Sequence, residues 1–385
     1  MPTPSHVAAS ETGDALLLTP GPLTTSRAVK QAMVRDWGSR DEAFIRVNRV
    51  AMDRIVEIAG GLGTHVTVPM QGSGTFAVEA MITSFVPCAG KLLLLVNGAY
   101  GQRAIKIARI AGRAVAVLET PEDTPPDLAK LDAMLGSDAA ITHVFAVHCE
   151  TTSGILNPIG EIADIVAKRG RRLLVDSMSA FGALEIDARA VRYDALAASS
   201  NKCLEGVPGL GFVVCREEAL AACAGNATTL VLDLHDQHEG FRKNGQWRFT
   251  PPIHVIVALG RAIEEHQAEG GVAGRGGRYR ENGRVLIEGM RTLGFRTLLP
   301  DALQAPIIVT FHMPTDPKFE FQRFYDGLKD RGYVIYPGKL TVADSFRMGC
   351  IGRLFPADMR GALMAVREVL DELGVAIGSP AMAAE

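Results

Sequence analysis

The chain has 385 residues, 47% of them hydrophobic and 22% charged, with a net charge of -3. That length calls for two or three compact units, and the charge offers no basic surface for nucleic acid. No apolar run reaches the length of a membrane span, and the first 14 residues lack the basic start and apolar stretch of a secretion signal. The six cysteines have neither zinc spacing nor scaffold density, which points to reduced thiols in the cytoplasm.

In chain order, residues 1–14 read as a disordered leader. From Phe44 the apolar residues Phe44, Val47, Ala51, Ile55 and Ile58 recur at steps of three and four, the spacing of a helix. Short apolar runs then alternate with helical segments. Strands are expected at 91–96, 114–118, 142–147, 172–176, 195–198 and 211–215, with a helix at 160–168 whose Ile162, Ile165 and Val166 face inward. Such alternation implies a mostly parallel sheet sandwiched by helices, with ligands at the carboxyl ends of its strands. Asn97, His148 and Asp176 fall at those ends. After Pro251 the pattern changes. A long helix opens after Pro251-Pro252, followed by a glycine- and arginine-rich link over 270–280 and a helix through Leu286, Met290 and Leu293. Strands at 307–311, 333–336 and 345–348 and helices at 319–329 and through Met359 to Leu373 complete a smaller α/β unit. The fold class is therefore α/β, with a large domain over 15–255, including an N-terminal arm, and a small one over 256–385.

Lys202 stands in Ser199-Ser200-Asn201-Lys202-Cys203, between small polar residues and glycines, while the buried strand 172–176 ends in Asp176. A lysine in a tight loop and a carboxylate at a strand end suit pyridoxal phosphate. The amine forms a Schiff base, and the carboxylate keeps the pyridine nitrogen protonated. A solvated surface lysine is the alternative. Gln71-Gly72-Ser73-Gly74-Thr75 precedes a helix and could present free N–H groups to a phosphate; an ordinary capped helix would look the same. Tyr100, in Asn97-Gly98-Ala99-Tyr100-Gly101, could lie on an aromatic cofactor or pack on the sheet edge. The hydroxyls of Thr151, Thr152 and Ser153 could reach a phenolic oxygen. His148, Cys149 and Glu150 are consecutive and point apart along an extended chain, so no metal is expected. Arg347 lies in an otherwise apolar strand, where its planar fork suits a carboxylate or phosphonate. An ion pair with Asp344 or Glu320 is the other option. No Gly-x-Ser-x-Gly elbow of a hydrolase occurs.

Together with Leu18-Thr19-Pro20-Gly21-Pro22, Gly38-Ser39-Arg40-Asp41, Trp247-Arg248-Phe249-Thr250 and Tyr336-Pro337-Gly338-Lys339, these segments resemble fold-type I pyridoxal-phosphate enzymes of the class-V aminotransferase group. The resemblance runs from about Leu16 to Leu373. It implies that Lys202 carries pyridoxal 5'-phosphate as a Schiff base, that Asp176 pairs with the ring nitrogen and that Tyr100 stacks on the ring. It places Ser73, Gly74 and Thr75 on the phosphate with Asn201 close by, and Thr151 near the phenolic oxygen. Thr250 would serve the phosphate of the neighbouring subunit, making a homodimer with shared active sites. Arg347 would take the carboxylate of pyruvate, and Gly21 belongs to a loop that closes the substrate pocket. The implied reaction is 2-aminoethylphosphonate plus pyruvate to phosphonoacetaldehyde plus L-alanine, in a cytoplasmic enzyme of phosphonate catabolism. An alanine/serine–glyoxylate aminotransferase is the alternative, with a cysteine desulfurase using Cys350 behind it.

Overall fold

An uninterrupted run such as Leu92–Val96 has no polar face to offer water, so it must be covered from both sides, and it becomes an inner strand of a large sheet. The computed structural model describes residues 7–340 and 344–376. Its elements are β1 (Leu16–Leu17), α1 (Arg27–Gln31), α2 (Glu42–Ile58), β2 (His65–Gln71), α3 (Gly74–Phe85), β3 (Lys91–Val96), α4 (Ala99–Ile110), β4 (Ala114–Glu119), α5 (Leu128–Ser137) and β5 (Ile141–Val147). There follow β6 (Cys149–Glu150), β7 (Ile155–Leu156), α6 (Ile159–Lys168), β8 (Arg172–Asp176), β9 (Ala195–Ser199), β10 (Leu210–Arg216), α7 (Glu217–Ala221), α8 (Leu234–Asn244) and α9 (Ile253–Ala268). The chain continues with α10 (Gly271–Thr292), β11 (Ile308–His312), α11 (Phe321–Asp330), β12 (Tyr333–Val334), β13 (Tyr336–Pro337), β14 (Ser345–Gly349) and α12 (Pro356–Leu373).

The six strands read from the first apolar runs all form and join a seventh, in the order β2-β10-β9-β8-β5-β3-β4. Pairing is parallel except for β10, which runs antiparallel to both β2 and β9. The strand that sequence reading missed is β2. Pro69 within His65–Gln71 argues against an inner strand, and β2 is indeed at the sheet edge, where a proline leaves no ladder bond wanting. A three-stranded sheet, β11-β14-β13, forms the base of the C-terminal region and packs its own apolar cluster, including Phe311, Phe324, Phe346 and Met348.

Three expectations need correction. The link expected over 270–280 is helical and continuous with the next helix as α10. Two of its glycines are required by contact: a Cβ at Gly274 would overlap the carbonyl of Glu269, and one at Gly276 the carbonyl of Ala183. Close packing and buried ion pairs outweigh the cost of glycine in a helix, about 1 kcal/mol each. The domain boundary drawn at 255/256 also moves. Ile256, Leu259 and Ile263 of α9 pack into the core of the large sheet, so the change of partner falls at Gly270 and Gly271, both at positive φ. Of the leader, residues 7–14 are docked rather than loose. Ala8 N–H donates to the Arg331 carbonyl (3.0 Å), Glu11 meets Arg353 (3.1 Å), and Asp14 meets Lys30. Residues 1–6 lie outside the described residues. The N-terminal arm touches both regions: β1 pairs with β12, while Val29 of α1 packs on Ala258 and Ala262 of α9.

Candidate active site

Val147, Asp176 and Ser199, the last residues of β5, β8 and β9, open onto one cavity of about 200 Å³ at the carboxyl edge of the sheet. Ser73, Gly74 and Thr75 at the start of α3, Tyr100 and Arg103 on the first turns of α4, and Thr151, Asn201 and Lys202 on strand-end loops complete its wall. Eight of the eleven site residues named from sequence are thus brought together. A larger cleft of about 780 Å³ runs past Glu119, Glu122 and Asp123, but no basic residue lines it among the described residues. The smaller cavity holds the reactive groups.

Lys202 is half-buried, and its ammonium donates to the carbonyl of Pro20. Burial pulls the amine below its usual pKa. The nearby Tyr100, Cys203 and Asp176 oppose that pull, and Arg347 adds to it. Such a depression favours the neutral amine that nucleophilic attack or proton abstraction requires. Gly21 lies against this group: its φ is +124°, and a Cβ there would come within 2.6 Å of Lys202 Nζ. Gly21 is therefore a contact of the lysine itself.

Asp176 is 5% exposed, and its Oδ1 accepts from Met178 N–H at 3.0 Å. Burial pushes its carboxyl up to about 6 despite that hydrogen bond. No cationic side chain pairs with it among the described residues, so it is a buried anion suited to a cationic ligand group. Ser73 caps α3 by position, yet its hydroxyl makes no capping bond and stays available. Ser199 Oγ is buried in the cavity wall without a partner among the described residues. A Cβ at Gly74 would overlap Met178, so the backbone at this helix start lies against the Asp176 turn.

Tyr100 is held by Glu150, a residue sequence reading assigned no role. The buried Glu150 carboxylate accepts from Tyr100 N–H (3.1 Å) and Gly101 N–H (3.4 Å) at the start of α4, and from the N–H (3.0 Å) and hydroxyl (2.7 Å) of Thr152. Burial acts to raise the Tyr100 pKa, but Lys202, the Thr151 hydroxyl and Lys339 together bring it below the usual phenol value. Arg103, one turn on, was also missed. It donates to Thr75 Oγ1 (3.0 Å), and its guanidinium lies 4.9 Å from the Tyr100 ring centroid. The three-residue step from Tyr100 was the signal that could have found it. His148 turns away to Ser177 (3.0 Å), and burial holds it near 4, so it is neutral; His148, Cys149 and Glu150 do diverge.

Arg347 is 5% exposed and makes no ion pair with Asp344 or Glu320. Its Nε donates to the Pro337 carbonyl (3.1 Å) and its Nη1 to the Thr151 carbonyl (2.9 Å). It forms no ion pair among the described residues. Thr250 is not brought to the cavity of its own chain; it sits on an exposed loop beside Phe249, before α9. Arg40 is also exposed and does not line the cavity.

Behind Lys202 lies a buried charge cluster. Glu205, at φ +59°, accepts from Arg278 (2.7 Å) and from the Tyr279 hydroxyl (2.6 Å), with Arg275 3.5 Å away. Arg275 also donates to the Cys203 carbonyl (2.6 Å), and Arg278 to the carbonyls of Gly352 (2.6 Å) and Leu354 (2.8 Å). The lysine loop is thereby tied to the turn that follows the Arg347 strand. Cys350 in that turn is buried, and burial pushes its thiol up to about 12. That removes the reactive cysteine a desulfurase needs.

A family model described as class-V aminotransferase matches residues 63–335. A relative from Pseudomonas fluorescens, named 2-aminoethylphosphonate–pyruvate transaminase, is 53% identical over 360 residues, covering 94% of this chain and 98% of its own. One of the same name from Cupriavidus taiwanensis is 53% identical over 362 residues, covering 94% and 96%. Among solved structures, pyridoxamine–pyruvate aminotransferase from Mesorhizobium loti superposes with a TM-score of 0.87 at 24% identity, covering 96% of each chain. That likeness carries the fold.

Proposed function

The chain belongs to the class-V aminotransferase family, and on that footing we propose that it transfers the amino group of 2-aminoethylphosphonate to pyruvate, giving phosphonoacetaldehyde and L-alanine. The observation that carries the substrate is the identity, about half of all positions along nearly the full length, with relatives named for that reaction.

Pyridoxal 5'-phosphate fits the residues present. When bound, it supplies an aldehyde for the amino group and an electron sink for the bond that breaks beside it. The free Ser73 hydroxyl, the N–H groups of Gly74 and Thr75 at the start of α3, and Asn201 would hold its phosphate, with Arg103 bracing Thr75. Asp176, a buried carboxylate without a cation, would take the ring nitrogen. Tyr100 would lie on the ring, and Thr151 would approach the phenolic oxygen. Lys202 supplies the amine that anchors the cofactor. The Lys202 Nζ, as a free amine, would take the proton from the amine-bearing carbon of the donor and would return one to the corresponding carbon of the acceptor. Its depressed pKa suits both tasks. Arg347 would hold the carboxylate of pyruvate, and the loop at Gly21 would exclude water above Lys202.

We read the enzyme as a cytoplasmic homodimer. Thr250 and Phe249 lie on an exposed loop that would serve a partner's phosphate site, and none of the six cysteines is bridged.

The test uses holoprotein and single amino donors without acceptor. The visible cofactor band is expected to bleach with 2-aminoethylphosphonate and with L-alanine, and to persist with serine. Bleaching by serine with no response to the phosphonate would transfer the protein to the alanine/serine–glyoxylate reading.

A pH effect follows from Asp176. A raised carboxyl pKa favours the cofactor-free fold below the unfolded value near 3.8, and that advantage is lost as pH rises through about 6. A protonated ring nitrogen needs the ionised carboxylate. Cofactor affinity is therefore expected to be flat above about 6 and to fall by up to about tenfold per pH unit below it. The cofactor phosphate titrates near the same pH, so the measurement is the difference between the parent and Asp176→Asn in fluorescence titrations. Identical slopes in the two proteins would remove Asp176 from the ring nitrogen.

A further inference from the structure

The Tyr100 ring is surrounded by positive charge. Arg103 lies 4.9 Å and the Lys339 ammonium 4.6 Å from its centroid, and Lys202 and Arg347 are close enough to bias its ionisation. Arg103 is committed to Thr75, Arg347 to two backbone carbonyls and Lys202 to Pro20, whereas among the described residues Lys339 meets only the ring. None of the four pairs with a carboxylate among the described residues. The position of Lys339 is set by the backbone. It follows β13, whose Pro337 carbonyl receives Arg347 Nε, and Gly338 N–H bonds the Ser345 carbonyl (2.8 Å), the two strands pairing as Tyr336 with Arg347. Gly338 has no room for a side chain against Ser345, which fixes how the turn carries Lys339 toward Tyr100.

The two substrates present their anions differently. In alanine and pyruvate the carboxylate is bonded directly to the reacting carbon. In 2-aminoethylphosphonate the phosphorus is one carbon further away and its group carries up to a second negative charge. A single cation that meets the anion of either substrate leaves the outer oxygens and the second charge of the phosphonate unmatched. We propose that Lys339 is the residue that selects the phosphonate donor, binding its outer oxygens while Arg347 serves the anion of either substrate. This rests on the substrate reading above and goes beyond it by assigning the discriminating group. Lys339 touches only the remote end of the donor, so it takes no part in proton transfer.

The experiment compares holoenzyme, Lys339→Gln and Lys339→Arg in donor half-reactions, followed by the cofactor spectrum. Loss of one charge-assisted contact lowers kcat/KM for 2-aminoethylphosphonate by about 10- to 100-fold in Lys339→Gln. The value for L-alanine stays within about threefold, and Lys339→Arg recovers most of the loss. A second arm measures inhibition by ethylphosphonate, which binds without reacting. Its inhibition constant rises by the same factor in Lys339→Gln, while that of propionate does not change. Equal losses with both donors, or no loss with the phosphonate, overturn the proposal. If the parent fails to react with 2-aminoethylphosphonate, the substrate reading falls, and the ethylphosphonate arm alone then decides whether Lys339 recognises phosphonate.

Discussion

Lys202→Ala is expected to lower transamination by at least about 10³-fold. The estimate rests on two losses. General acid–base transfer by a positioned side chain contributes about 10²–10⁴-fold, and alanine also removes the covalent anchor that holds the cofactor in register with substrate. No other group replaces it. Asp176 would be needed in its ionised form for the ring nitrogen, His148 is neutral and turned to Ser177, and Tyr100 lacks the reach of a four-carbon stem. The variant should still fold, because the side chain makes one hydrogen bond, to Pro20, and lies against a cavity. It should also still take up cofactor through the α3 start and Asp176. Single-turnover measurements with 2-aminoethylphosphonate check the prediction, with near-ultraviolet circular dichroism reporting bound cofactor. A residual rate within about tenfold of the parent would take the proton-transfer role away from this residue.

Glu205→Ala carries the largest expected loss of stability, about 3–5 kcal/mol. The carboxylate is 2% exposed and shares its Oε1 with Arg278 and Tyr279, with Arg275 nearby, and both arginines are nearly inaccessible. Removing the anion leaves two buried guanidinium groups with Glu269 as their remaining acid. Backbone strain is separable from charge here. Glu205 sits at φ +59°, where a side chain costs about 1 kcal/mol relative to glycine. Glu205→Gly should therefore be less unstable than Glu205→Ala by about that amount and still far below the parent. Urea unfolding of the three proteins, read on the first transition, makes the comparison. Parent-like stability in Glu205→Gly would mean that strain relief offsets the cluster, and the charge argument would fail.

The parts of this molecule that show in its sequence are those decided locally. Continuous apolar runs declare inner strands because both faces must be dry, and Asp176 and Lys202, conspicuous at a strand end and in a small-residue loop, come to line one cavity. What stayed hidden depends on partners distant in sequence. The glycines of α10 look like a linker until the carbonyls of Glu269 and Ala183 are in place against them. Glu150 looks like one of three adjacent polar residues, and only the fold aims it at the N–H groups of α4. The proline in β2 hides a strand whose edge position is a property of the whole sheet. Thr250 is a different case: it does not line the cavity of its own chain, and the role expected of it would be played in a second copy.

The contact between Gly21 and Lys202 ties two positions that heredity could otherwise vary separately. The turn at Pro20 and Gly21 lies about 180 residues before the lysine, yet a methyl group at position 21 would occupy the space of the amine. An arm borrowed from another scaffold, however well it closed over substrate, would fail on this lysine unless it brought its glycine. The arm and the lysine loop are thus a single inherited unit, and recombination designed to exchange donor specificity must cut outside both.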